Sequence, residues 1–486
     1  MVLSRDPAHP PAPTIRGLLD QTAGLAADYL EALPERPVGW LVDVEELRAR
    51  LDGPLPESPA DPGRVIAELA VAVEPGLVAS PGGRYFGFVI GGTTPAAIAA
   101  DWLTSVWDQN AGLFVCSPSS AVVEEVAGAW LSELLGLPAG VGFGLVTGCQ
   151  MAHVTALAAA RHSVFARAGW DVGERGLVGA PAVRVLAGAQ RHITVDRALR
   201  LLGFGTGCVT PIAADDQGRM LPAALREAIA DGDGPAIVCA QAGNVNTGAF
   251  DPLDEIADIV ERAGAWLHID GAFGLWAAAS PAHRHLVAGS ERADSWAVDA
   301  HKWLNVPYDN GIAFCAHPDA HRAAMGVRAS YLIHADEGGP RDALEWGPEF
   351  SRRARGFPVY AAIRALGRVG IAELIDRCCE HARRFAEALS ALPHAEVLND
   401  VVLNQVLVRF LEPAGDHDAH TDAVIAAVQD DGTCWLSGTT WRGMRAMRIS
   451  VSSQATTGDD VEQSIEAILR AAAHPNPRRG SRDNQG

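Results

Sequence analysis

Of the 39 basic Lys and Arg side chains in this 486-residue chain, a single one is lysine, Lys302. A coding bias toward arginine explains the general scarcity of lysine, but not why one position kept it. Arginine can replace lysine as a surface charge. It cannot where an amine must lose its proton and attack carbon, because a guanidinium stays protonated. Lys302 is therefore a candidate for covalent chemistry, with chance survival as the competing explanation. A carboxylate joins it. Asp270 ends the apolar run Trp266-Leu-His-Ile-Asp270 and precedes small residues, while Lys302 follows a second run, Ser295-Trp-Ala-Val-Asp-Ala-His301-Lys302. An amine and a carboxylate at neighbouring strand ends suit pyridoxal phosphate: the amine forms a Schiff base with the aldehyde, and the carboxylate keeps the pyridine nitrogen protonated so that the ring acts as an electron sink. Taken singly, Asp270 reads as a loop cap and Lys302 as a surface charge.

These groups need a sheet to bring them together. Short apolar runs (183–186, 208–212, 236–240, 265–269, 295–298 and 311–315) alternate with helical stretches (151–166, 195–202, 222–229 and 252–263). Alternation of this kind predicts an α/β fold with a mainly parallel sheet covered on both faces, and ligands at the carboxyl ends of its strands. Upstream, 14–33, 42–51, 95–107 and 119–135 read as helices, with 52–63 a Pro/Gly-rich connection. Downstream, 357–366 and 371–392 read as long helices. Strand-like pieces at 402–410, 434–437 and 446–451 and a last helix at 458–473 make a smaller α+β unit. The predicted division is 1–83 helical, 84–356 large α/β, 357–473 small α+β, and 474–486 a disordered tail.

Composition narrows the partners. Lys+Arg 39 against Asp+Glu 59 leaves a net charge of −20, which argues against nucleic acid or an anionic membrane surface as the main partner. Eight scattered cysteines without a CxxC pair argue against a disulfide framework or structural zinc, and no metal is expected. The first residues lack an apolar core of the secretory type, and no uninterrupted membrane-length run is present, so a cytoplasmic location is expected.

His-Ile-Asp270-Gly-Ala-Phe-Gly followed by Asp-Ala-His301-Lys302-Trp-Leu-Asn resembles the pyridoxal-phosphate-dependent group II amino-acid decarboxylases, the aromatic-L-amino-acid and glutamate decarboxylase group. The likeness runs from about Arg84 through the last helix. It implies fold type I, the aspartate-aminotransferase-like architecture, and a homodimer whose N-terminal helices wrap the partner subunit. Lys302 and His301 match the family's His-Lys pair, and Asp270 its pyridine-nitrogen partner. Gln190-Arg-His192 resembles the segment whose histidine stacks on the cofactor ring, and Ala272 would lie on the opposite face. Thr147-Gly-Cys149-Gln150-Met-Ala-His153 resembles the phosphate turn at a helix start, with Cys149, Gln150 and His153 where the family favours small, hydroxyl or asparagine residues. Asn244 and Asn246, in Gly243-Asn-Val-Asn-Thr247, replace hydroxyl residues of another cofactor-contacting stretch. Tyr331 resembles the lid tyrosine that returns a proton to the substrate carbon after CO2 leaves. Arg448 could serve a carboxylate or merely structure.

The expected activity is decarboxylation of an L-amino acid to the amine and CO2. An aromatic or other bulky side chain is favoured, with Tyr85, Phe86, Phe88 and Trp107 as a possible apolar slot. The competing readings are an aldehyde-forming or carbon–carbon lyase on the same cofactor, and a non-catalytic protein that kept the fold.

Overall fold

The computed structural model describes residues 14–327, 339–413 and 415–475. Its main sheet is made of β1 (Gly142–Val146), β2 (Arg184–Gly188), β3 (Val209–Ile212), β4 (Ala236–Gln241), β5 (Trp266–Asp270), β6 (Ser295–Asp299) and β7 (Gly311–Cys315), in the order β1-β7-β6-β5-β4-β2-β3. Strands β3, β2, β4, β5 and β6 run parallel, and β7 is antiparallel to both β6 and β1. The sheet is thus mainly parallel, as its alternating pattern predicts. Every residue of β1, β4, β5, β6 and β7 is buried. That is why these strands read as continuous apolar runs and not as alternating ones. The edge strand β3 carries Pro211, which costs no ladder bond there.

Tryptophans anchor the core beneath the site. Trp266, Trp276 and Trp296 are fully buried, each removing on the order of 200 Å² from water, roughly 5 kcal/mol of gross transfer energy. Each indole N–H also finds an acceptor: Ser295 Oγ, Asp299 O and Ser290 O respectively, all at 2.9 Å.

A second sheet combines β8 (Ala395–Val397), β9 (Gln405–Phe410), β10 (Ser437–Trp441) and β11 (Met444–Ser450), antiparallel in the order β10-β11-β9-β8. Helices Gly356–Ser390 and His417–Asp431 pack on it, and helix Gly458–Ala473 packs against those two helices. The last begins with a reciprocal cap between Thr457 and Asp460. The first is broken at Gly367, whose φ of 60° departs from helical geometry; the sequence pattern leaves its gap between two helices at the same place. Arg84–Phe86 joins this second sheet: Phe86 N–H donates to Trp435 O at 2.7 Å, and Ser450 N–H donates to Phe86 O at 3.0 Å.

Several elements differ from expectation; helix Pro318–Met325 and strand β8 have no counterpart in the sequence pattern. Helix Pro62–Val73 starts within the supposed connection and runs on past its end. Helix His417–Asp431 has no counterpart among the expected elements. The strand expected at 434–437 lies at Ser437–Trp441 instead. Helices Ile15–Ala32 and Val44–Leu51 bury none of their residues within this chain. No helix among the described residues is long and apolar enough to cross a membrane.

Candidate active site

Strand register creates the site. Gln241 pairs with Asp270 across β4 and β5, so the two strands end level. On the far side, Asp299 of β6 and Val146 of β1 both pair with Gly311 of β7. The carboxyl ends of β1, β5 and β6 therefore open onto one rim, and the turn after β1 faces the turn after β6. Close backbone approach helps: a Cβ on Gly311 would lie 2.5 Å from the Gly148 backbone, so only glycine fits there.

Lys302 sits three residues beyond Asp299, its Nζ 3.1 Å from Asp299 Oδ2, with 21% of its side chain exposed. Burial opposes its positive charge, but Asp299, helped by Asp270, outweighs burial and raises its pKa above the ordinary lysine value. Asp299 Oδ1 also accepts the Cys149 N–H at 2.6 Å and lies 3.4 Å from His301 Nε2. His301 is held from its other face by Tyr308, with ring centroids 4.4 Å apart, and its Nδ1 accepts the Asn310 N–H.

Asp270 is buried. Burial alone would raise its pKa; the neighbouring His153, His192 and Lys302 override this and hold it well below the usual carboxylate range. It remains an anion, as a partner for a protonated ring nitrogen must. Its Oδ1 accepts the Ala272 N–H at 3.2 Å, which fixes both the carboxylate and that small residue.

His192 is the N-cap of helix Ile193–Leu201, and its Nδ1 accepts from the Thr194 N–H and pairs with Thr194 Oγ1 at 2.8 Å. The imidazole proton then belongs on Nε2. Burial lowers the pKa, with Asp270 opposing, so the ring is neutral near pH 7. Capping and a role at the site are thus compatible in one residue.

Other expectations need correction. Asn244 gives its Nδ2 to Gln190 O and Gln241 Oε1, and its Oδ1 accepts from Asn246 and Thr247 N–H, so its amide braces a turn. Gln150 ties its helix to the His192 helix through Thr194 O at 3.3 Å. The phosphate turn is partly capped by the protein: the Cys149 N–H goes to Asp299, and the Met151 and Ala152 N–H groups go to Gly148 O. The four aromatics do not form one slot. Phe86 is in the core against Phe385, and Trp107 lies edge-on to Phe357. Tyr85 and Phe88 instead both stack on Trp435. Tyr331 lies outside the described residues.

Sequence reasoning passes over Asp299 and His268, although Asp299 stands three residues before the lysine. It marks His153 only as a departure. His153 shares a buried cluster with Cys149 and Asp270, whose potential ligand atoms lie within 4.8 Å of one another. Arg448 is buried, its pKa pushed down to about 10 by desolvation, and its Nε has no protein partner.

The donor set fits pyridoxal phosphate: a primary amine, a carboxylate kept ionised, a neutral imidazole and a small residue fixed beside the carboxylate. Known proteins agree with this chemistry. A family model described as the pyridoxal-dependent decarboxylase conserved domain matches residues 45–411. The aromatic-L-amino-acid decarboxylase of Bacillus atrophaeus is 28% identical over 474 residues, covering 95% of this chain and 96% of that protein. The L-2,4-diaminobutyrate decarboxylase of Rhizobium meliloti is 30% identical over 77% of this chain and 75% of its own length. Among solved structures, Oryza sativa TDC with PLP and tryptamine superposes with a TM-score of 0.89 at 25% identity, covering 97% of this chain and 99% of that one. Together with an amine and an ionised carboxylate at one sheet rim, these likenesses identify the chain as a member of the pyridoxal-dependent decarboxylase family, a pyridoxal-phosphate-dependent carboxy-lyase acting on an amino acid.

Proposed function

We propose that the substrate is an aromatic or other bulky L-amino acid, that Lys302 carries the cofactor, and that Asp270, His192 and Tyr331 complete the catalytic set. When bound, pyridoxal phosphate supplies an aldehyde for the substrate amine and a protonated ring that accepts the electron pair of the bond to CO2. The observation that carries the assignment is the chain's one lysine, held 3.1 Å from Asp299 at the rim that also bears Asp270.

Each residue then has a task set by its chemistry. Asp299 Oδ2 holds the Lys302 ammonium, and Asp270 stays anionic to keep the ring nitrogen protonated. His192, neutral with its proton on Nε2, offers a flat face and one donor. Tyr331 delivers the proton that replaces CO2, so the product is an amine. Arg448 is the cation available to a substrate carboxylate. Support for a bulky side chain comes from the aromatic-L-amino-acid decarboxylase relative and from the tryptamine bound to the rice protein. The stack of Tyr85, Trp435 and Phe88 adds to it.

The working unit in this reading is a homodimer. The N-terminal helices expose Ile15, Leu19, Leu30, Val65, Leu69 and Val71, faces that a second copy would cover. Sedimentation should return twice the 51.1 kDa chain mass; a monomer at micromolar concentration would reject the dimer.

The test of function is a screen of amino acids for CO2 release by wild type and Lys302→Ala. Wild type should release CO2 and amine, most readily from aromatic substrates. The variant should stay folded and lose at least about 10³-fold in turnover. Full activity without the amine, or an aldehyde with ammonia and hydrogen peroxide as products, would reject the proposal.

A further inference from the structure

Behind Asp270 a line of buried side chains runs through the sheet. His153 Nε2 lies 3.6 Å from Asp270 Oδ2. His153 Nδ1 is 2.9 Å from His268 Nε2, and His268 Nδ1 is 2.9 Å from Ser295 Oγ. Trp266 Nε1–H donates to the same serine oxygen at 2.9 Å. His153, His268, Ser295 and Trp266 have no exposed surface. Three elements contribute: His153 comes from helix Cys149–Arg167, Trp266 and His268 from β5, and Ser295 from β6.

Proton placement gives this line a direction. The indole only donates, so Ser295 Oγ accepts from it and can give its own O–H to His268 Nδ1. Burial pushes the His268 pKa down to about 3, so the ring is neutral and carries its proton on Nε2. That proton goes to His153 Nδ1, which leaves the His153 Nε2–H pointing at the carboxylate. Every polar atom in the line then has a partner; Ser295 Oγ has two, and His153 Nε2 also lies 3.5 Å from Cys149 Sγ. The reverse orientation would set a bare Nε2 lone pair against the Asp270 anion. Cys149 adds a weak second contact: burial keeps its thiol protonated, 3.9 Å from Asp270 Oδ1.

We propose that His153, held by His268 and Ser295, is a positioning residue that keeps Asp270 anionic and aimed, and so sets how tightly this chain pairs with the cofactor's ring nitrogen. The inference rests on Asp270 being the ring-nitrogen partner. Removing the donor that faces the carboxylate across 3.6 Å takes away an electrostatic contact with the anion and narrows the preference for a protonated ring nitrogen by about tenfold.

The test compares two ligands on full-length apoprotein: pyridoxal phosphate, and its benzene analogue with C–H in place of the ring nitrogen. The readout is the ratio of their dissociation constants, from which a general packing loss cancels. Wild type should prefer pyridoxal phosphate at least about tenfold. His153→Leu should narrow that ratio by about tenfold or more, His153→Gln, which keeps an N–H, should restore most of it, and His268→Phe should fall between. A wild-type ratio near one would reject the Asp270 assignment itself. A wild-type preference that survives intact in His153→Leu would overturn the positioning role alone. Should His153→Leu fail to fold, His268→Phe decides: a narrowed ratio supports the line of histidines, and an unchanged ratio rejects it.

Discussion

Lys302 is legible in the sequence because composition isolates it, and Asp270 because it ends an apolar run before small residues. Asp299 is legible only in three dimensions. It reads as one more strand residue, yet it holds the lysine, the first N–H of the Cys149 helix and His301 together. His268 is hidden for a different reason: β5 is buried throughout, so no alternation marks one side chain as special. The bracing role of Asn244 is also legible only in three dimensions, since its amide oxygen holds two N–H groups of its own turn. The Asp299 geometry makes a prediction with a defined sign. Asp299 raises the Lys302 pKa and burial lowers it, so Asp299→Asn leaves burial dominant and increases the free-amine fraction at neutral pH. The pH profile for capture of pyridoxal phosphate by apoprotein, followed by visible absorbance, should move to lower pH. A profile that stays put or moves upward would show that Asp299 does not govern the amine.

Elements are legible wherever burial imposes a pattern. The central strands lie within a residue or two of their apolar runs, and Gly458–Ala473 starts where its capping residues place it. Elements lacking that pattern escape a sequence reading. Helix His417–Asp431 opens with His, Asp and Thr residues and so resembles a loop, and β10 is Ser-Gly-Thr-Thr-Trp, held by β11 more than by its own hydrophobicity. The lysine loop owes its position to another segment that sequence patterns do not reveal. A Cβ on Gly91 would lie 1.8 Å from Lys302 O and 2.7 Å from His301 O, both backbone atoms. Gly91→Ala must therefore push the loop aside. It should cost about 1–3 kcal/mol in stability and weaken cofactor binding, as measured by urea unfolding and by titration of apoprotein. Unchanged values for both would mean that the contact carries no strain.

At the scale of the whole molecule, the buried histidines tie stability to pH. His268 and His321 are both pushed down to about 3, mainly by burial, so each stays neutral in the fold while the unfolded chain protonates them near 6.5. Between those values the unfolded state binds more protons, and stability falls as pH falls, by about 1.4 kcal/mol per pH unit for each group. His321→Phe should make the dependence of unfolding free energy shallower by that amount between roughly pH 4 and 6. An unchanged slope would show that His321 titrates normally in the fold. The proposed function has one requirement above the others, that the sheet rim present Lys302 to the cofactor's aldehyde. Borohydride reduction of the cofactor-loaded protein followed by peptide mapping puts that requirement to its sharpest test. The pyridoxyl group should be fixed on Lys302 alone. An unmodified Lys302, with the label elsewhere or absent, would refute the assignment.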